Sequence, residues 1–156
     1  MNKIFIDTNI IISFTKNYFI YLKELIEKQK KGDVMLFVNP VVVAEFFTDK
    51  NLNNNKKFKL AKEFFHNFTS LPVNNAIGII AGELLRNNST VAIGDAIIAA
   101  TCLNNDLELM TNNQKDFRKV KGLKLFNFHN NYLAEQEDLK NIGKIHKVIS
   151  KVRKEL

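Results

Sequence analysis

Cysteine occurs once in the 156 residues, at Cys102, and tryptophan does not occur at all. A lone cysteine excludes an intramolecular disulfide and any zinc site built on cysteine ligands, and it points to a reducing cytosol. No apolar run reaches the roughly 18 residues that a membrane-spanning helix needs. The first acid stands at position 7, so neither a membrane span nor a signal peptide is expected. GxxxxGKS, GxxxxGKT and GxGxxG stretches are missing too, which leaves no glycine loop to cradle a nucleotide phosphate. His66, His129 and His146 are too scattered to form a metal triad of recognisable spacing.

What is present suits one domain. Hydrophobic residues make up 46% of the chain and thirteen are phenylalanine, enough for an aliphatic, phenylalanine-rich core. The formal net charge of +7 favours a polyanionic partner such as nucleic acid, a pull that many chains carry for solubility alone.

Along the chain, short apolar strands alternate with amphipathic helices. Residues 3–6 and 34–38 read as buried strands, with Ile10 to Ile12 continuing the apolar material past Asp7. Residues 107–110 and 123–126 read as two further strands. Tyr18, Leu22, Leu25 and Ile26 recur at helical spacing over residues 17–31, and Gly32-Asp33 ends that helix. Pro40 is placed to open a helix carrying Val41 to Phe47. Residues 49–55 form a polar loop, followed by a lysine-rich helix with Phe58, Phe64, Phe65 and Phe68 on its inner side. Helices are also expected over 75–86 and 93–103, with a turn at 87–90. This alternation indicates an α/β fold with a mostly parallel sheet. Residues 1–133 form the main domain. Residues 134–156 read as a helical extension whose stripe of Leu139, Ile142, Ile145, Ile149 and Val152 packs on that domain or on a partner.

Four acids interrupt this apolar pattern. Asp7 ends the first strand, Glu45 is the only charge between Asp33 and Asp49, and Asp95 is the only charge between Arg86 and Asp106. Asp116 lies in a loop four residues beyond Asn112. Ligands of a parallel sheet sit beyond its carboxyl edge, where these acids are expected. Each has a structural reading by itself: a turn at Asp7, partial exposure at Glu45, a helix cap at Asp95, an ordinary loop acid at Asp116. Together at one edge they would repel one another. A divalent cation resolves that conflict, and hard oxygen ligands select Mg²⁺ or Mn²⁺. Such a cluster suits phosphodiester hydrolysis. Thr8, Asn9, Thr111 and Asn112 are placed to hold a carboxylate or a water from behind. No histidine or lysine base accompanies the Thr8 hydroxyl, so covalent chemistry there has no support.

With those residues placed, the chain resembles the PIN-domain ribonucleases, especially the small VapC-kind toxins of bacterial and archaeal toxin–antitoxin pairs. The family's D-T-N-like motif is matched by Asp7-Thr8-Asn9, and its helical glutamate by Glu45 in VVAEF. A D-x-x-I-A-A-like helix start is matched by Asp95 to Ala100, and a T-x-N-x-x-D-F-like motif by Thr111 to Phe117. The likeness runs over roughly residues 3 to 128 in the family's order. It implies a three-layer α/β/α sandwich that cuts RNA internally with Mg²⁺ or Mn²⁺. It also implies a homodimer restrained by a small antitoxin, in the cytoplasm and away from membranes.

On that resemblance Asp7, Asp95 and Asp116 surround the metal, and Glu45 joins them through the metal or positions the attacking water. Arg86, Lys115 and Arg118 are candidates for backbone phosphates, each with an ordinary surface role as the alternative. Lys56, Lys57, Lys59 and Lys62 either line the RNA path or form a solvated helix face. Four other readings stand beside this one. A haloacid-dehalogenase-type phosphatase needs a second aspartate at position 9, where this chain has asparagine. A flap-type nuclease generally needs a larger body and more acids. A non-toxin RNA-processing PIN nuclease and a non-catalytic RNA-binding or scaffold protein share the fold.

Overall fold

The computed structural model describes residues 1–16, 19–87 and 91–128. Its centre is β1 (Asn2–Ile6), in which Ile4, Phe5 and Ile6 are all fully buried. Successive strand residues point to opposite faces, so three buried in a row means that both faces of the sheet are covered. On one side β1 pairs in parallel with β2 (Val34–Val38), from Asn2 opposite Val34 to Phe5 opposite Phe37. On the other it pairs with β4 (Glu108–Met110), from Ile4 opposite Glu108 to Ile6 opposite Met110. The two-residue strands β3 (Thr69–Ser70) and β5 (Lys124–Leu125) extend the sheet outside β2 and β4. The order is β3-β2-β1-β4-β5, and every pairing is parallel.

Parallel neighbours need crossover connections, and helices supply them. α1 (Thr8–Thr15) and α2 (Tyr21–Lys30) lie between β1 and β2, and α3 (Pro40–Phe47) and α4 (Asn55–Phe65) between β2 and β3. α5 (Asn75–Asn87) and α6 (Ile93–Asn105) precede β4, and the single turn α7 (Gln114–Phe117) precedes β5. This is the α/β fold with a parallel sheet that the alternating pattern implied, in the α/β/α arrangement that the resemblance implied. α2 buries Leu22, Leu25 and Ile26 at the expected spacing, and Gly32 ends the segment in the left-handed region at φ 83°.

Several local expectations are corrected. Ile10 to Ile12 belong to a helix, because Asp7 is the last extended residue (φ −73°, ψ 152°) and the chain coils immediately after it. Thr8 and Asn9 therefore open α1. α2 starts at Tyr21, not near residue 17, and Asn17 and Tyr18 lie outside the described residues. The polar stretch after α3 contains a 3-10 turn, Lys50–Asn53, closed by the Asp49 carboxylate accepting from the Asn51 N–H at 2.9 Å. β3 was not expected, since Thr69 and Ser70 are polar and exposed. They join the sheet only because β2 offers them an edge. Asp116 stands on α7, not in a loop.

The phenylalanines divide between two environments. Phe5, Phe19, Phe37, Phe68 and Phe117 are buried, whereas Phe58 is 44% exposed and Phe64 and Phe65 are only half-buried. Instead of facing the sheet, the α4 rings pack on rings from α1 and α3: Phe64 on Phe14 at 5.5 Å, Phe65 on Phe46 at 5.2 Å, and Phe58 on Phe47 at 5.5 Å between centroids. Residues Met1–Phe126 form one compact unit. The expected helix over 134–156 lies outside the described residues.

Candidate active site

Asp7 continues the β1 ladder by one residue, its N–H donating to the Met110 carbonyl at 3.0 Å before the backbone turns into α1. That turn fixes a carboxylate at the carboxyl edge of the most buried strand, where the residue is only 3% exposed. Its Oδ2 accepts from the Thr111 hydroxyl and from the Asn9 side-chain amide, both at 2.6 Å. The same Asn9 amide also reaches the Thr111 Oγ1 at 3.1 Å. Asn9 Oδ1 accepts from the Asn112 N–H at 3.0 Å, and Thr111 Oγ1 accepts from the Asn113 N–H at 2.9 Å. The Asn112 side chain donates to Ser13 Oγ at 3.2 Å. The segment following β4 is thereby stitched to the segment following β1. Both side-chain donors fall on Oδ2 of Asp7, and the Thr8 backbone N–H donates to the same carboxylate.

Glu45 is delivered from the next crossover. α3 begins at a fully buried Asn39 whose Oδ1 accepts from the N–H groups of Val41 and Val42, both at 3.1 Å. A cap of this kind contributes about 1 kcal/mol. The Asn39 amide donates to the hydroxyl of buried Thr101 on α6 at 2.9 Å, which pins the start of α3 to α6. Further along α3, Glu45 Oε2 accepts from the Thr8 hydroxyl. Its Oε1 lies over Gly94, where an added Cβ would come within 2.6 Å. Gly94 is therefore a place where the carboxylate approaches α6 only because no side chain intervenes.

Asp95 occupies the first turn of α6, whose N-cap is Ala92, so it does not cap the helix it stands on. Asp95 and Asp116 line one small pocket together with Val91, Phe117, Lys119 and Val120. Asp116 is exposed and accepts from Lys119 Nζ at 3.3 Å. Burial pushes the Asp7 carboxyl up to about 6 against the Thr111 hydrogen bond that lowers it, and the charges of Asp95 and Glu45 push the same way as burial. Burial also raises Asp95, followed by the charges of Glu45 and Asp116. Asp116 is held low, first by the Asn113 side chain and then by Lys119. Each of the four acids therefore raises, or is raised by, at least one of the others. In charge and atom type this donor set fits a hard divalent cation. Among the described residues, no three such side chains are gathered tightly enough to hold an ion as they stand.

The three candidate phosphate contacts are not drawn into this pocket. Arg86 faces Glu83 at 4.0 Å on α5, Arg118 donates to Gln114 Oε1 at 2.9 Å, and Lys115 is exposed on α7. Sequence reading missed Lys119, although its spacing of three from Asp116 on a helical turn was available as a signal. It also missed Gly94, an odd residue to open a helix next to a singled-out acid, and Asn39, which precedes Pro40 in a capping pattern. Cys102 is buried and unpaired, and burial pushes its thiol up, so it is an inert core residue.

The raised Asp7 carboxyl sets a pH dependence. Below about pH 4 the acid is protonated in both folded and unfolded chains and imposes no penalty. As the pH climbs from about 4 to 6 the unfolded chain ionises first, so stability falls, and above about 6 the penalty is constant. A rise from 3.8 to about 6 corresponds to roughly 3 kcal/mol. In chelator at pH 7.5, Asp7→Asn keeps an acceptor for Thr111 and Asn9 and should raise the melting temperature by about 6–12 °C. That gain should vanish at pH 4. An unchanged or lower melting temperature at pH 7.5 would contradict this account of the site.

A family model of the PIN domain matches residues 4–123. Ribonuclease VapC2 of Methanocaldococcus jannaschii is 28% identical over 140 residues, which cover 80% of this chain and 93% of the relative. Among solved structures, DNA-bound VapBC from Salmonella typhimurium matches with a TM-score of 0.68 at 22% identity, over 81% of this chain and 98% of the matched one. A toxin–antitoxin complex from Klebsiella pneumoniae matches with a TM-score of 0.59 at 21% identity, over 76% and 93%. At such identities the structural likeness speaks for the fold. The family match runs from the central strand to the residue before the last one, and this chain belongs to the PIN-domain family.

Proposed function

We propose that this protein is a divalent-cation-dependent endoribonuclease, the toxin of a toxin–antitoxin pair, restrained by a small antitoxin protein. The observation that carries the reading is the delivery of Asp7, Glu45, Asp95 and Asp116 from separate crossovers to one sheet edge, where their charges act on one another. The ribonuclease name of the relative and the toxin–antitoxin complexes among the structural neighbours support it. Asp7, Asp95 and Asp116 would hold Mg²⁺ or Mn²⁺, with Glu45 joining them or orienting the attacking water. A bound cation would offset the carboxylate repulsion, neutralise the scissile phosphate and lower the pKa of a water. Thr111 and Asn9 would orient the Asp7 carboxylate, and Thr8 would hold Glu45. Arg86, Lys115 and Arg118 would lie along the RNA path outside the pocket and contact backbone phosphates in a sequence-independent way. A homodimer acting in the cytoplasm completes the proposal. Among the described residues, no helix is long and apolar enough to cross a membrane.

Purified protein should cut total tRNA or ribosomal RNA into discrete fragments with Mn²⁺ or Mg²⁺ and leave it intact in chelator. Asp95→Asn, folded as well as the parent, should lose at least about 100-fold in rate, beyond the 10–100-fold typical of residues that merely support a ligand. Fragments that persist in chelator or in this variant would overturn the proposal. Gly94→Ala provides a second check. The substitution favours the helix, by up to about 1 kcal/mol, yet displaces the Glu45 carboxylate. Its cleavage rate should fall on the order of 10- to 100-fold while its melting temperature holds or rises. Full activity in Gly94→Ala would show that the position of Glu45 does not matter.

A further inference from the structure

The pocket between Asp95 and Asp116 contains one cation among its described lining residues, Lys119. Its Nζ meets Asp116 Oδ1 at 3.3 Å, and the two side chains remain 52% and 51% exposed. A phosphodiester entering a site lined by carboxylates is repelled unless positive charge is already there. The other nearby cations are placed elsewhere: Arg118 is engaged with Gln114 and Lys115 does not line the pocket. An ion pair this exposed is weak, so Lys119 gives up Asp116 for a phosphate oxygen at little cost. Its flexible stem and three donors suit a point-charge phosphate contact.

Resting on the ribonuclease reading, we propose that Lys119 receives the RNA backbone in this site, contacting a phosphate on the Asp116 side of the pocket. It is then a substrate-binding residue of the cleft, distinct from the carboxylates, and it lines the pocket, which Arg86, Lys115 and Arg118 do not. The contact is electrostatic and carries no base preference.

The test separates binding from chemistry. Binding of a fluorescein-labelled, mixed-sequence single-stranded RNA is titrated at several salt concentrations against Asp95→Asn and against Asp95→Asn combined with Lys119→Ala, Lys119→Arg or Lys121→Ala. Loss of Lys119 should weaken binding about tenfold and reduce the salt slope by about 0.7, the value of one phosphate contact on a single strand. Lys119→Arg should restore most of both, and Lys121→Ala, an exposed lysine outside the pocket, should change neither. In the otherwise unaltered protein, Lys119→Ala should raise KM more than it lowers kcat. Unchanged affinity and salt slope in Lys119→Ala would overturn the proposal, and so would a loss confined to kcat, which would leave the lysine only a support for Asp116. The titration reads Lys119 whether or not RNA is cut. A parent protein that cleaves no RNA therefore overturns the ribonuclease reading and leaves this test standing.

Discussion

A carboxylate is buried at the end of the central strand, and the surrounding site is organised around that fact. Asp7 is almost without solvent, faces the charges of Glu45 and Asp95, and is still ionised for the most part at neutral pH. Hydrogen bonds from the Thr111 hydroxyl and the Thr8 backbone oppose the effect of burial without cancelling it. The folded chain thus stores electrostatic repulsion at its sheet edge. Such a cost persists where the charge has a use, and here it falls on carboxylates proposed to hold the cation.

The parallel sheet makes the gathering possible. Every strand ends at the same edge, so Asp7 just after β1 and Thr111 just after β4 arrive within hydrogen-bond distance although 104 residues separate them in sequence. Glu45 arrives on the helix that follows β2. Asp95 arrives on the first turn of α6, because a crossover helix that leads into a parallel strand must start at the edge where strands end. The Asn39–Thr101 bond and the bare backbone at Gly94 then set how closely α3 approaches α6. The fold places these acids, and small local devices adjust their final separation.

Much of this was legible in the sequence, for a physical reason. A charge inside an apolar run is expensive, so Asp7, Glu45 and Asp95 stood out without any structure. β1 and β2 were legible because strands buried on both faces read as unbroken apolar runs. α1 was hidden by the same chemistry: Ile10 to Ile12 look like more strand, and only the break in extended backbone at Asp7 turns them into a helix. β3 carries no apolar signal and depends on its neighbour. The α4 phenylalanines have a helical spacing that predicts an inner face, but not that this face meets other rings instead of the sheet. Lys119 had a local signal in its spacing of three from Asp116, but that signal is read only once Asp116 is known to stand on a helical turn, and the approach of Glu45 to Gly94 forms only in three dimensions.

The central claim is that the four carboxylates form one cation site whose geometry is set from behind by Thr111, Asn9, Thr8 and Gly94. Anomalous diffraction from crystals grown with Mn²⁺ tests it most directly. The account predicts an anomalous peak within coordinating distance of the carboxylates of Asp7 and Asp95, absent from crystals of Asp95→Asn grown in the same way. A peak away from these side chains, or none at saturating Mn²⁺ with the four carboxylates well ordered, would contradict it.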